Sequence, residues 1–278
     1  GLMLLGELAA GIIRGIPDLT AKIPQIFQAI VNKFGEFDWI SIGKNIIEKL
    51  ARVPAEVDIA SEFRYRDPIL DPTQLVVVIS QSGETADTLA ALRLAKKQGV
   101  KTLAIVNVAG STIAREADIV LYTYAGPEIA VASTKAYSVQ TGVLYLLAIR
   151  VALEKGRIGE EKAKELVSGL LDAIEKTNAA LLTDEAAKAM AAIMKDVEDC
   201  FFIGRGADFA LCREGSLKLK EISYIHSEAY EAGELKHGTI SLIEKGTLVI
   251  GVLTQSRLLE KTLSNLVEVK SRGAYLMG

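Results

Sequence analysis

Leu75, Val76, Val77, Val78 and Ile79 are apolar without alternation, and the run breaks at Ser80 into Ser-Gln-Ser-Gly-Glu-Thr before apolar positions return at Ala86, Leu89, Ala90 and Leu92. An unbroken apolar run suits a strand buried on both faces of a parallel sheet, and the later spacing predicts a helix over 85–97. The alternation continues with a strand over 102–106, a helix over 111–116, a strand over 119–122 and a long apolar helix over 137–153. Strands alternating with helices predict an α/β fold with a doubly wound parallel sheet, whose ligands lie beyond the carboxyl ends of the strands.

Upstream, 55–60 predicts a strand, Ser61 the cap of a short helix, and Pro68 with Pro72 a turn. Amphipathic helices are predicted over 19–34, where Ile23, Ile26, Phe27 and Ile30 form one stripe, and over 39–51. Residues 156–194 are rich in helix formers and in charges spaced to pair along a helix, such as Glu160, Glu161, Lys162, Lys164 and Glu165, as in a solvated hairpin between two lobes. A second strand begins at Cys200 and ends in Gly204-Arg205-Gly206; a helix over 207–224, a strand over 248–253 and a helix over 256–271 follow. The organisation expected is a helical segment (1–44), a first domain (45–154), a helical linker (155–197) and a second domain (198–278).

Composition narrows the classes of function. With 278 residues, 50% hydrophobic and 24% charged, the chain can bury a core. A net charge of −3 without runs of like charge gives no footprint for nucleic acid. The apolar start stops at Arg14, short of the roughly 18–20 residues that span a bilayer, and has no basic leader, so neither membrane nor targeting segment is expected. Cys200 and Cys212 are too few for a disulfide framework or a zinc site and fit small core residues in a reducing, cytoplasmic setting. No metal and no cofactor is expected.

The chemistry gathers at two places. Gly83 lets the chain turn, the helix after it offers free amides and a positive dipole end, and Ser80, Gln81, Ser82 and Thr85 add donors, so a phosphate has a site there without a lysine. The plainer reading is that Ser82 or Thr85 caps the helix. On the helix over 207–224, Lys218 and Glu221 stand three apart and share a face, either as an ordinary ion pair or as part of an acid/base apparatus. His226 and His237 are the only histidines, and either has the pKa range for proton transfer near neutrality.

Ser80-Gln-Ser-Gly-Glu-Thr85, Ala125-Gly-Pro-Glu-Ile-Ala-Val-Ala-Ser-Thr-Lys-Ala136 and Glu234-Leu-Lys-His-Gly238 resemble the motifs of sugar isomerase (SIS) domains. Specifically, they resemble the isomerase half of glucosamine-6-phosphate synthases, the isomerising glutamine:fructose-6-phosphate aminotransferases. The resemblance runs from residue 45 to residue 278 and implies two SIS-type lobes. It implies that Ser80, Gln81, Ser82, Thr85, Val131 and Ser133 bind fructose 6-phosphate or glucosamine 6-phosphate. It also implies that Glu221 moves a proton between C1 and C2, that Lys218 adjusts it or serves O1, and that His237 opens the sugar ring across the interface of a homodimer. A glutaminase domain would be the source of ammonia. His226 matches no family position and is expected to be structural.

Three departures accompany the resemblance. The family's first strand and its Cys-Gly-Thr-Ser turn are not found before residue 45, and Thr239 stands where proline is common. The family's C-terminal lysine is also missing, so a truncated chain is expected. Residues 11–47 are instead similar to helical repeats of phage tail tape-measure proteins, which would make the chain a chimaera. Alternatives to an isomerase are a non-catalytic phosphosugar-binding module and an inactive fragment.

Overall fold

The computed structural model describes residues 29–32, 39–129, 132–133 and 135–278, and the chain divides into two compact units, Gly1–Ala180 and Leu181–Gly278. The helical expectation for 1–28, and with it most of the tape-measure resemblance, lies outside the described residues.

The first unit contains β1 (Ala29–Asn32), α1 (Trp39–Ile46, continued as a π-helix over Ile47–Ala51), β2 (Glu56–Val57), α2 (Ala60–Phe63) and β3 (Leu75–Ser80). After these come α3 (Ala86–Lys97), β4 (Lys101–Val106), α4 (Thr112–Glu116), β5 (Ile119–Tyr122), α5 (Lys135–Glu154) and α6 (Glu160–Ala180). Its sheet is parallel throughout, in the order β2-β1-β3-β4-β5. All six residues of β3 are buried, as the unbroken apolar run requires. Val76 and Val78 pack with Ala91, Leu92 and Ala95 of α3 on one face, while Leu75, Val77 and Ile79 alternate to the other. α5 is long and apolar enough by composition to cross a membrane, yet ten of its residues are buried and α1 packs against it, as in a core helix.

Ala29–Asn32 corrects two expectations. The sequence reading puts a helix over 19–34 and leaves the first sheet one strand short, whereas these residues pair with β3 on one side (Ala29 with Leu75) and with β2 on the other. Hydrogen bonding on both edges of a short β-branched run outweighs a weak helical stripe that included Ile30. Ser61 lies inside α2 rather than capping it, because the helix starts at Ala60.

The second unit contains α7 (Asp184–Met194), β6 (Asp199–Gly204), α8 (Ala207–Ser223), β7 (His226–Glu231), β8 (Leu248–Gly251), α9 (Leu259–Ser271) and β9 (Tyr275–Met277). Its parallel sheet has the order β7-β6-β8-β9. Between 155 and 197 the helices are Glu160–Ala180, a 3₁₀ turn at Leu181–Thr183 and Asp184–Met194, and the division between units falls after Ala180. β7 and β9 are absent from the sequence reading. In β7, His-Ser-Glu-Ala-Tyr-Glu has little apolar signal and is held by its pairing to β6 and by Ser227, whose Oγ donates to Ser216 O at 2.8 Å.

Candidate functional site

In each sheet the chain passes to one neighbour of its first strand and then crosses to the other, so a topological switch point lies between β1 and β3 and another between β6 and β8. Ligands of doubly wound sheets bind outside the carboxyl ends of strands at such points. The turn after β3 occupies the first.

Its geometry follows from three constraints. Gly83 adopts φ +68°, and a Cβ there would lie 2.0 Å from Ser111 Oγ, so no larger residue fits. Gly83 N donates to Ser80 Oγ at 3.0 Å, and the Ser80 and Thr85 hydroxyls meet at 3.2 Å, which draws both ends of the turn together. Thr85 is the N-cap residue of α3, yet its side chain makes no capping bond. The first intrahelical bond there runs from Leu89 N to Thr85 O at 2.9 Å, leaving the amides of the opening turn without intrahelical acceptors. Ser82 Oγ accepts from Glu84 N at 3.2 Å. Ser80 is buried and committed within the turn, whereas Gln81, Ser82 and Thr85 are half-buried and keep a face to solvent. Capping therefore does not account for Thr85.

Neighbouring loops brace the turn. Asn107 N donates to Gln81 O at 3.2 Å, Ile113 N to Gly83 O at 2.9 Å, and Thr112 N to Glu84 Oε1 at 2.7 Å. The bond from Thr112, with Arg115 nearby, holds the exposed Glu84 carboxyl below the usual carboxylate range. The bracing bonds of Glu84 and Asn107 are not legible in the sequence because the partners are more than fifteen residues away.

Ser133 lies just before α5 and its Oγ donates to Glu128 Oε2 at 3.0 Å. Lys135 Nζ donates to Pro127 O, so Lys135 closes the same loop from its far end. Val131 lies outside the described residues.

In the second unit, Lys218 Nζ is 2.6 Å from Glu221 Oε2 and 3.7 Å from Glu214 Oε1. All three side chains are mostly buried, and one ammonium is shared by two carboxylates one helical turn to either side. Glu214 was missed, although its i, i+4 spacing from Lys218 was legible. His237 is exposed at the end of a short 3₁₀ turn, Leu235–His237. His226 is exposed as well, with Nε2 at 3.8 Å from Glu228 Oε1. Among the described residues no group of three or more His, Cys, Asp and Glu is arranged to hold a metal ion.

The SIS domain family matches residues 41–150 and 193–277. The chain is 60% identical over 237 residues to the isomerizing glutamine–fructose-6-phosphate aminotransferase of Clostridium tetani, covering 85% of this chain and 39% of that protein. It is 48% identical to the enzyme of the same name from Chlorobaculum tepidum, over 93% of this chain and 42% of that protein. Residues 45–278 make up only 84% of the chain (234 of 278), so the second match extends upstream of residue 45. The chain thus spans about two fifths of the length of these relatives.

Among solved structures, the C-terminal domain of glucosamine-fructose-6-phosphate aminotransferase from Francisella tularensis superposes with a TM-score of 0.90 at 38% identity, over 99% of this chain and 82% of that one. A protein structure from Clostridium difficile, at 20% identity and a TM-score of 0.84, shares the fold. The chain belongs to the SIS domain family and, within it, to the isomerase half of the isomerising glutamine:fructose-6-phosphate aminotransferases.

Proposed function

We propose that this chain is a phosphosugar isomerase module that takes fructose 6-phosphate toward glucosamine 6-phosphate, the phosphate resting on the turn after β3. The observation that carries this reading is the turn itself, with half-buried Gln81, Ser82 and Thr85 and the free amides of α3 at the switch point of a parallel sheet. Ser80 holds the turn's shape through Gly83 N and Thr85. Ser133 and Val131 contribute contacts to the sugar.

In this reading Glu221 takes a proton from one of the two carbons C1 and C2 and returns it to the other through an enediol or enolamine. Lys218, at 2.6 Å, stabilises the carboxylate form in which Glu221 begins and ends the cycle. His237 moves the proton between the ring oxygen and O1 and is supplied by a second copy in a homodimer. Ammonia comes from a glutaminase domain, and the reaction runs in the cytoplasm.

Incubation with fructose 6-phosphate in deuterium oxide tests the proton transfer. Glu221 is expected to exchange deuterium into the sugar at the carbon it deprotonates, and Glu221→Gln to stop that exchange while leaving binding intact. Exchange at an equal rate in Glu221→Gln would remove Glu221 from the reaction.

A further inference from the structure

One residue outside the proposed ligand contacts joins three loops at the carboxyl edge of the first sheet, its side chain reaching one of them and its backbone amide another. Asn107 follows β4. Its Oδ1 accepts from Thr123 Oγ1 at 3.0 Å and from Ala125 N at 2.7 Å, while its Nδ2 donates to Gly126 O at 2.8 Å. Its own amide donates to Gln81 O at 3.2 Å, inside the turn after β3. An amide side chain offers both an acceptor and two donors, and no other side chain of this size matches that set of partners.

The loop held this way is strained. Tyr124 has φ +48° and Gly126 φ +72°, and a tyrosine in the left-handed region is an outlier that persists only where its surroundings impose it. Here the surroundings are Asn107 on either side of Tyr124, at Thr123 and Ala125, with the Tyr122 ring 5.7 Å from the Tyr124 ring. Beyond Gly126 the chain runs through Pro127, held by Lys135, and Glu128, held by Ser133. Asn107 therefore fixes the start of the loop that carries Ser133 to the turn that carries Gln81 and Ser82.

We infer that Asn107 is a positioning residue: it sets the spacing between the phosphate turn and the Ser133 loop, so that one phosphosugar meets both. This rests on the phosphosugar reading of the turn. Without Asn107, Tyr124 relaxes out of the left-handed region and the Ser133 loop is no longer held at that spacing.

The test is titration calorimetry of the full chain with fructose 6-phosphate and, separately, with inorganic phosphate, alongside thermal melts. Wild type binds both. Asn107→Ala is expected to weaken fructose 6-phosphate about tenfold or more and inorganic phosphate less than about threefold, because only the larger ligand needs two loops in register. Thr123→Val, which removes one of the three bonds, lies between, and it carries the test if Asn107→Ala does not fold. A lowered melting temperature with fructose 6-phosphate affinity unchanged in both variants would make Asn107 structural only and overturn the inference. Equal loss for both ligands would overturn it too. Failure of wild type to bind either ligand would instead remove the phosphosugar reading beneath it.

Discussion

The two sheets build the same junction, a buried central strand entering a helix through a glycine at a switch point, and then use it in opposite ways. After β3 the turn offers half-buried hydroxyls and free amides. After β6 the corresponding space is filled from within. Asp208, 1% exposed and in the first turn of α8, accepts from Thr254 N at 3.0 Å, from Thr254 Oγ1, and from Gln255 N at 3.4 Å. Gln255 Nε2 returns a bond to Arg205 O at 2.7 Å, and Arg205 reaches Asn265 at 2.8 Å. A carboxylate of the chain's own sits at this junction, whereas the proposed reading puts a ligand's anion at the other. At the second junction the donors of a neighbouring loop, Thr254 and Gln255, are spent on the chain's own carboxylate, whereas the proposed reading leaves the donors of the turn after β3 to a ligand.

The strongest way to break the contrast is through the glycines. Gly83→Ala forces a side chain into the left-handed region, about 1–2 kcal/mol, and onto Ser111 Oγ, about 1–3 kcal/mol more. Gly206→Ala, at φ +59° with its nearest atom at 3.4 Å, bears the backbone cost alone. Denaturant melts should therefore show the larger loss for Gly83→Ala, together with loss of phosphosugar binding; equal losses would mean that the packing around Gly83 gives way. Next in size, Asp208→Ala removes a buried carboxylate that accepts from the exposed Thr254 and the half-buried Gln255, and should cost about 1.5–3 kcal/mol without changing phosphosugar affinity. A change in that affinity would mean that the closed junction takes part in binding.

Ser82→Ala should do the reverse. It removes one hydrogen bond to a charged ligand, worth about 1.5 kcal/mol or tenfold in affinity, and moves the melting temperature little because Ser82 makes only a local bond to Glu84 N. A smaller effect comes from Glu84. Its folded-state pKa is depressed below the unfolded value, so its contribution is complete above about pH 4.3 and fades as the pH falls through the folded value. Glu84→Gln should flatten that part of the acid unfolding curve and leave the neutral region alone. The smallest effect is expected at the cysteines. Burial pushes the thiols of Cys200 and Cys212 up to about 12, so iodoacetamide at neutral pH should leave the native chain unlabelled. Labelling before unfolding would show the second core to be open.

Elements with their own apolar signal were legible in the sequence. The predicted strand over 119–122 coincides with β5, and those over 75–79 and 102–106 each fall one residue short of β3 and β4. Strands that exist because a neighbour pairs with them were not. Ala29–Asn32 is four residues long, β7 is polar, and β9 has three residues, so periodicity had little to act on. The site divides in the same way. Ser80 and Thr85 are close in sequence and the meeting of their hydroxyls was readable, as was the Lys218–Glu221 pair. Asp208 closing on Thr254, or Asn107 reaching Gly126, depends on which loops the sheet order makes adjacent, and local pattern does not encode that.

The contrast between the two junctions is tested most directly by backbone amide chemical shifts of the labelled chain during titration with fructose 6-phosphate. Saturable shifts at Ser82, Gly83, Glu84, Thr85 and Ala86, with Gly206, Ala207 and Asp208 unmoved, are the predicted result. Shifts centred on Gly206 and Asp208, with the turn after β3 silent, would contradict it.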